Sequence, residues 1–470
     1  MTLSMEPAGT ADALAQLRGR LAGLALLPGD DGYDAARQPW NLAVDQRPTL
    51  VVVARGARDV AEAVRYANAQ GLELAVQATG HGVIRPADGC LLVVTAPMNA
   101  VRVDAAARTA WVEAGAKWGQ VLAPAQAVGL APLLGSSPEV GAVGYTLGGG
   151  LGWLVRQYGL SADSVNAFEI VTADGQPTRA SASQNPDLFW ALRGGGGGFG
   201  VVTGMEIRLY PVTTVYGGTL FYPVEKARAV YAHYREWIAS APPALTSSIV
   251  LMNFPPLPVF PETLRGRSFV MVRGVHAGPA AQGEALLQHW RAWQAPEIDD
   301  FRAMPFSQVA AVSNDPVDPL PGLSSGAWLA DLSDEVSETL VRYTLPRQGP
   351  PPIVFAEVRH VGGAMADVGA DSAAFSHRHE NLALSVTGIT PSAEARAAVA
   401  AHIAEMKRAL RQHLTGGVYL NFLEGEEARA LTRQGYSDES YQRLCALKTR
   451  YDPQNRLSRG YALEPLPSGP

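Results

Sequence analysis

The chain has 470 residues, 47% of them hydrophobic and 8% aromatic, which is enough for two or three domains with sizeable cores. Its 38 basic and 44 acidic residues give a formal charge of −6, so it offers no basic stripe for nucleic acid and no polybasic patch for a membrane. Cys90 and Cys445 match neither a metal spacing nor a disulfide framework, and no apolar run approaches the roughly 18 residues of a membrane span; a cytoplasmic protein acting on a small molecule is expected.

Apolar residues at helical spacing predict an opening helix from Asp12 to Leu27. Leu50 to Val53 then reads as a strand, Asp59 opens a helix through Val60, Ala63, Val64 and Ala67, Gly71 caps it, and Leu74 to Val76 is a second strand. That strand leads into Gln77-Ala78-Thr79-Gly80-His81-Gly82, a glycine-flanked turn at a strand end, where α/β folds place ligands. Strands at Cys90 to Thr95 and Ala110 to Val112 and a helix from Lys117 to Val128 precede a glycine loop, Gly148-Gly149-Gly150-Leu151-Gly152. Consecutive backbone N–H groups in such turns form a nest for pyrophosphate, which a side chain would block. A strand from Phe168 to Asp174 closes this half.

Beyond Pro211 the pattern becomes long strands near Gly218 to Tyr222, Ser248 to Met252, Phe269 to Val275, Ile353 to Arg359, Leu382 to Gly388 and Gly417 to Leu423. Helices near Val224 to Ala239, Ala280 to Gln294 and Ser392 to Leu414 would cover one face of their sheet, leaving the other for a ligand or the first domain. Pro305 to Pro321 reads as loop, and Asp438 to Arg450 as a last helix.

Two short motifs fail on context. Gly195-Gly196-Gly197-Gly198-Phe199-Gly200 satisfies the dinucleotide fingerprint G-x-G-x-x-G, but it follows a helix (Asp187 to Leu192) and precedes a strand (Val201 to Leu209), the reverse of what that fingerprint needs. Gly322-Leu323-Ser324-Ser325-Gly326 satisfies G-x-S-x-G, yet Asp318-Pro319-Leu320-Pro321 upstream is no buried strand, so a hydrolase elbow is not expected. His377-Arg378-His379-Glu380 lacks the spacing of a zinc motif, reads as a solvated loop or a pocket rim, and leaves no metal expected.

The run from Gly141 through Gly152 to Leu154, then Tyr158 to Asp163, Val171 to Gly175, Asn185 to Thr203, Ala374 to Arg378, Tyr419-Leu420-Asn421-Phe422 and Tyr451-Asp452-Pro453-Gln454-Asn455 resembles, in order and spacing, the berberine bridge enzyme-like branch of the vanillyl-alcohol oxidase flavoproteins. The resemblance extends from about Gln46 to the C-terminus. It implies an α+β fold with a two-lobed PCMH-type FAD-binding domain over residues 1–214 (core about 44–214). A substrate domain with a helix-covered antiparallel sheet would span 215–423, and 424–470 would return to the FAD domain.

The same resemblance implies cofactor contacts at Gln77, Ala78, Thr79, Gly80 and Gly82 around His81, then at Ser137, Val140, Gly141, Gly144 and Tyr145. Further contacts fall at Gly148, Gly149, Gly152, Gly200, Val202, Asn421 and Asn455. His81 matches the histidine that relatives bond to the flavin 8α-carbon, chemistry that calls for a neutral imidazole in fixed geometry. Many relatives add a cysteine link within Gly-x-Cys-Pro-x-Val; here Gly135-Ser136-Ser137-Pro138-Glu139-Val140 places serine there, so a single covalent link through His81 is expected.

Valine at 140 accompanies oxygen reactivity in relatives, so the expected reaction is an oxidase's: hydride from an alcohol or amine to flavin N5, with dioxygen as the acceptor giving hydrogen peroxide. Relatives carry Tyr-x-Asn-Tyr near the flavin, and the second tyrosine is Phe422 here, leaving Tyr419 as the catalytic candidate and suggesting a secondary-metabolite substrate. A flavin dehydrogenase with another acceptor and a flavin protein with a non-redox role, such as cyclisation or ligand binding, are the alternatives.

Overall fold

The computed structural model describes residues 8–258, 260–346 and 352–467. Four short strands, β1 (Leu24–Leu26), β2 (Leu50–Val53), β3 (Leu74–Gln77) and β4 (Leu91–Val94), form a first sheet in the order β1-β2-β4-β3. β2 and β3 both run parallel to β4, and the continuous apolar sequences of β2 and β4 are those of strands buried on both faces. The helix Ala57–Gln70 makes the crossover between β2 and β3, buries Val60, Ala63, Val64 and Ala67, and stops at Gly71, whose left-handed backbone (φ 69°) turns its N–H back to the last carbonyls.

The opening helix is shorter than its periodicity predicts. It spans Ala8–Arg20, after which the Asp59 carboxylate accepts the Ala22 and Gly23 N–H groups and the chain enters β1. Leu24 to Leu26 therefore belongs to a sheet: a side chain on another element competes successfully for backbone groups that would otherwise extend the helix.

A second, wholly antiparallel sheet comprises β5 (Val101–Asp104), β6 (Thr109–Glu113), β7 (Val165–Thr172), β8 (Pro177–Ser181) and β9 (Gly200–Arg208), in the order β5-β6-β9-β7-β8. The helices Trp118–Ala127 and Pro186–Leu192 contribute to the core beside it.

The third sheet has eight antiparallel strands. These are β10 (Thr214–Pro223), β11 (Leu245–Asn253), β12 (Ser268–His276), β13 (Ile298–Asp299), β14 (Arg302–Pro305), β15 (Gly322–Leu329), β16 (Phe355–His360) and β17 (Leu382–Ile389). The path runs β13-β10-β12-β11-β16-β17-β15, with β14 also on β10. One face is apolar, with Leu220, Tyr222, Ile249, Val272, Val358 and Leu384 packed under the helices Ala227–Ala239, Ala280–Trp293, Asp334–Thr344 and Ala393–Ala409. Strand alternation sends Ser248, Arg273, Glu357 and Arg359 to the opposite face, and all four are buried.

In this half one short motif keeps its reading, one helix is added and one expected strand is lost. Gly322-Leu323-Ser324-Ser325-Gly326 lies inside β15, paired along its length with β17, so it forms no nucleophile elbow. The helix Asp334–Thr344, capped by Ser333, was hidden among polar residues that face water. Gly417 to Leu423 is not a strand: it runs as an irregular segment ending in a single 3₁₀ turn at Leu420–Phe422. Tyr419 there is buried among Trp328, Phe375 and Phe422, and a segment buried continuously over residues 417–420 has the apolar content of a strand without its pairing. The C-terminal helix Asp438–Tyr451 leads back to the first sheet, where the Leu74 N–H donates to the Arg456 carbonyl and Leu457 enters the core.

Candidate active site

A cavity of about 470 Å³ opens where the three sheets converge. Its first wall is the turn after β3. Gln77, Ala78, Thr79, Gly80, His81 and Gly82 all line it, and the buried Gln77 is fixed by the Gln46 amide at 2.7 Å. Gly80 adopts φ 75°, and a Cβ there would lie 2.5 Å from the Pro39 side chain, so only glycine lets the segment 39–41 pack on the turn. That packing stacks Trp40 on the His81 ring, centroids 4.3 Å apart and planes 14° from parallel.

His81 Nδ1 lies 2.8 Å from the Thr79 hydroxyl, while Nε2 is buried and has no hydrogen-bond partner. Burial, reinforced by the charge of Lys117, pushes the ring's pKa down to about 4, so the imidazole is unprotonated at neutral pH. A buried, unprotonated ring nitrogen without a partner is an available nucleophile or ligand atom.

The second wall is the loop and short helix from Gly135 to Gly148. Ser137, Val140, Gly141, Gly144, Tyr145 and Gly148 line the cavity, and Gly200 and Val202 join them from the start of β9. The Ser137 hydroxyl accepts the Glu139 N–H at 3.2 Å, so this serine shapes its own turn. Tyr145 is half-buried, and its hydroxyl is buried without a hydrogen-bond partner. Gly149, Gly152 and Asn455 stand behind the wall rather than on it: a Cβ at Gly149 would strike the Phe375 ring and one at Gly152 the Leu134 carbonyl, while the Asn455 amide donates to Glu464.

The third wall combines the segment 419–423 with the sheet face that carries Arg359. The Tyr419 hydroxyl accepts N–H groups from Gly150, Leu151 and the Asn421 amide, all at 3.0–3.1 Å. Burial nevertheless raises its pKa, these three donors pulling the other way. A phenol oxygen that already accepts three donors suits a residue that fixes the glycine turn better than one that takes a proton. Asn421 also donates to the Tyr145 carbonyl at 2.9 Å and accepts from the Tyr461 hydroxyl at 3.1 Å, so one amide ties together three parts of the wall.

Several lining residues gave little signal in the sequence. Gly196, Gly197 and Gly198 lie on the cavity although their run fails as a dinucleotide fingerprint; the helix-to-strand order predicted for them is the one found. Arg359 carried no local motif, since only the pairing of β16 within the third sheet aims it at the cavity. The motif around His377 divides. His377 is half-buried and bonds the Gln434 carbonyl, whereas Arg378 is buried in a bidentate pair with Asp163 (2.8 and 3.1 Å) and is no solvated loop residue. Among the described residues no cluster of three or more His, Cys, Asp or Glu could hold a metal, and no helix is long and apolar enough to cross a membrane.

Residues 48–181 match the family described as an FAD binding domain. The chain is 29% identical over 469 residues to (R)-6-hydroxynicotine oxidase of Paenarthrobacter nicotinovorans, covering 95% of this chain and 97% of that one. The crystal structure of 6-hydroxy-D-nicotine oxidase from Arthrobacter nicotinovorans superposes with a TM-score of 0.84 at 25% identity, over 95% of this chain and 98% of that one. Berberine bridge enzyme from Eschscholzia californica superposes at 0.81 with 19% identity, over 98% and 100%, a likeness of fold.

Proposed function

The chain is an FAD-dependent oxidoreductase with the berberine bridge enzyme-like fold, and we propose that it is an oxidase of a small alcohol or amine, of secondary-metabolite type, that holds its FAD covalently through His81 alone. The residues present fit that cofactor. Positive-φ glycines open the walls, and two buried polar atoms, His81 Nε2 and the Tyr145 hydroxyl, point to a missing partner. FAD bound there supplies a two-electron acceptor that dioxygen can reoxidise, giving hydrogen peroxide.

The chain's own part is to position and to exclude water. His81 offers an unprotonated ring nitrogen at neutral pH, held in place by Thr79 and by the Trp40 face. With serine at 137 and no cysteine among the residues that line the cavity, no thiol is available for a second link. Val140 leaves more room beside the site than a larger branched side chain would, which supports access for oxygen. Tyr419 is assigned a positioning role, locking Gly150 and Leu151 through its hydroxyl.

The observation that carries this reading is the buried, partnerless His81 Nε2 in the wall of a glycine-lined cavity. Acid denaturation of the yellow protein tests it: flavin should stay with the wild-type polypeptide and leave the His81→Ala variant. Complete release from the wild type would falsify the covalent link. Turnover in air without peroxide would replace the oxidase by a dehydrogenase.

A further inference from the structure

The face of the third sheet turned away from its helices carries a buried row of charge. Arg273 on β12, Ser248 on β11 and Arg359 on β16 stand in direct register across three strands, with Glu357 two residues before Arg359 on the same face. Glu357 accepts from the Arg359 guanidinium at 2.8 Å and lies 4.0 Å from that of Arg273. One carboxylate thus faces two guanidiniums, and the group keeps one positive charge. Asp315, whose field also reaches Arg359, is only partly buried and makes no ion pair with either arginine, so solvent screens it.

A buried net charge is costly unless something answers it. The Nε of both arginines has no hydrogen-bond partner, while the Ser248 hydroxyl faces the Glu357 carboxylate. Arg359 is the member that reaches the cavity. Its guanidinium sits 5.5 Å from the Trp153 ring and 5.7 Å from the Phe422 ring, and it keeps only a long contact (3.4 Å) to the Leu151 carbonyl on that side. Phenylalanine at 422 supplies a flat apolar wall and no hydroxyl to satisfy the arginine.

From this placement we infer that the substrate is an aromatic compound bearing an anionic oxygen, a carboxylate or phenolate, that docks on Arg359 against the Phe422 ring. The inference rests on the reading of this cavity as the substrate site of a flavoenzyme. The free guanidinium N–H would donate to that oxygen, and the excess charge of the Arg273–Glu357–Arg359 group would be neutralised on binding.

Titration of the purified protein with benzoate and with its neutral analogue benzamide, followed by tryptophan fluorescence and by the visible flavin band, tests this. Benzoate should bind saturably and about tenfold or more tighter than benzamide, the weight of a charge-assisted hydrogen bond. Arg359→Gln should abolish that preference and Arg359→Lys should keep part of it, with flavin content unchanged in both. Equal binding of the two probes by the wild type, or an undiminished preference in Arg359→Gln, would overturn the proposal. So would an Arg359→Gln protein that loses its flavin and keeps the preference, which would assign the arginine to the cofactor. If Arg359→Gln does not fold, the wild-type contrast and Arg359→Lys decide. A colourless protein would sink the flavoenzyme reading alone, because the fluorescence titration needs no flavin.

Discussion

At the scale of single residues, His81 shows how environment sets chemistry. In an unfolded chain its imidazole titrates near 6.5, whereas burial holds it at about 4 in the folded protein. Between those values the unfolded state binds more protons, so His81 makes no pH-dependent contribution at pH 7 and costs stability as the pH falls through 6.5 towards 4. Before flavin is attached, going from pH 7 to pH 5 should therefore cost the flavin-free protein about 1–2 kcal/mol that a flavin-free His81→Ala variant does not lose, measured by urea unfolding at both pH values. Identical pH dependence in the two proteins would show that the ring is exposed. The hexapeptide made the position of this residue legible; its unprotonated state was not, because desolvation depends on Trp40 and on a wall built by residues far along the chain.

Elements are positioned here by glycines of two kinds, and substitutions can separate them. Gly71 has φ 69°, but a methyl group added there would meet no atom within 4 Å, so Gly71→Ala should cost about 1 kcal/mol of stability and leave flavin binding intact. Gly80 has a similar φ of 75°, but its Cβ would fall 2.5 Å from Pro39 and 3.0 Å from the Trp40 nitrogen. Gly80→Ala should therefore cost clearly more than about 1 kcal/mol and also release flavin, since relief of the clash moves Trp40 off His81. Flavin absorbance per mole of purified protein, beside unfolding curves, distinguishes the two; a fully yellow Gly80→Ala protein would contradict the packing argument. Helices and strands with clean apolar periods were readable, as with Leu50–Val53 and Ala57–Gln70. The segment around Tyr419 was not, because continuous burial over residues 417–420 erases the alternation that marks a strand.

At the scale of the whole molecule, buried polar contacts join parts of the chain hundreds of residues apart. Arg378 and Asp163 form a bidentate pair with side chains 2% and 6% exposed, and Asp163 also accepts the Leu160 N–H at 2.9 Å. Arg156 donates to the carbonyls of Leu245 and Val361 and lies 3.0 Å from His360 Nε2, linking the glycine-loop region to the third sheet. Removing one partner of such a pair leaves an unanswered buried charge, so Asp163→Asn should lower stability by about 3–5 kcal/mol in denaturant unfolding. A loss below about 1 kcal/mol would show that the pair is hydrated and contributes no more than a surface ion pair.

The sequence by itself determined the local features: the parallel strands around the helix Ala57–Gln70, the glycine turn with His81, and the glycine loops. These follow from backbone sterics and residue periods, which act over a few positions. Only the tertiary structure decided that Arg378 is buried against Asp163, that Tyr419 fastens a turn more than 260 positions away, and that Arg359 faces the cavity. Alternation along β16 places Glu357 and Arg359 on one face, but which face meets the ligand is set by the helices that cover the other, and that pairing is a property of the assembled sheet.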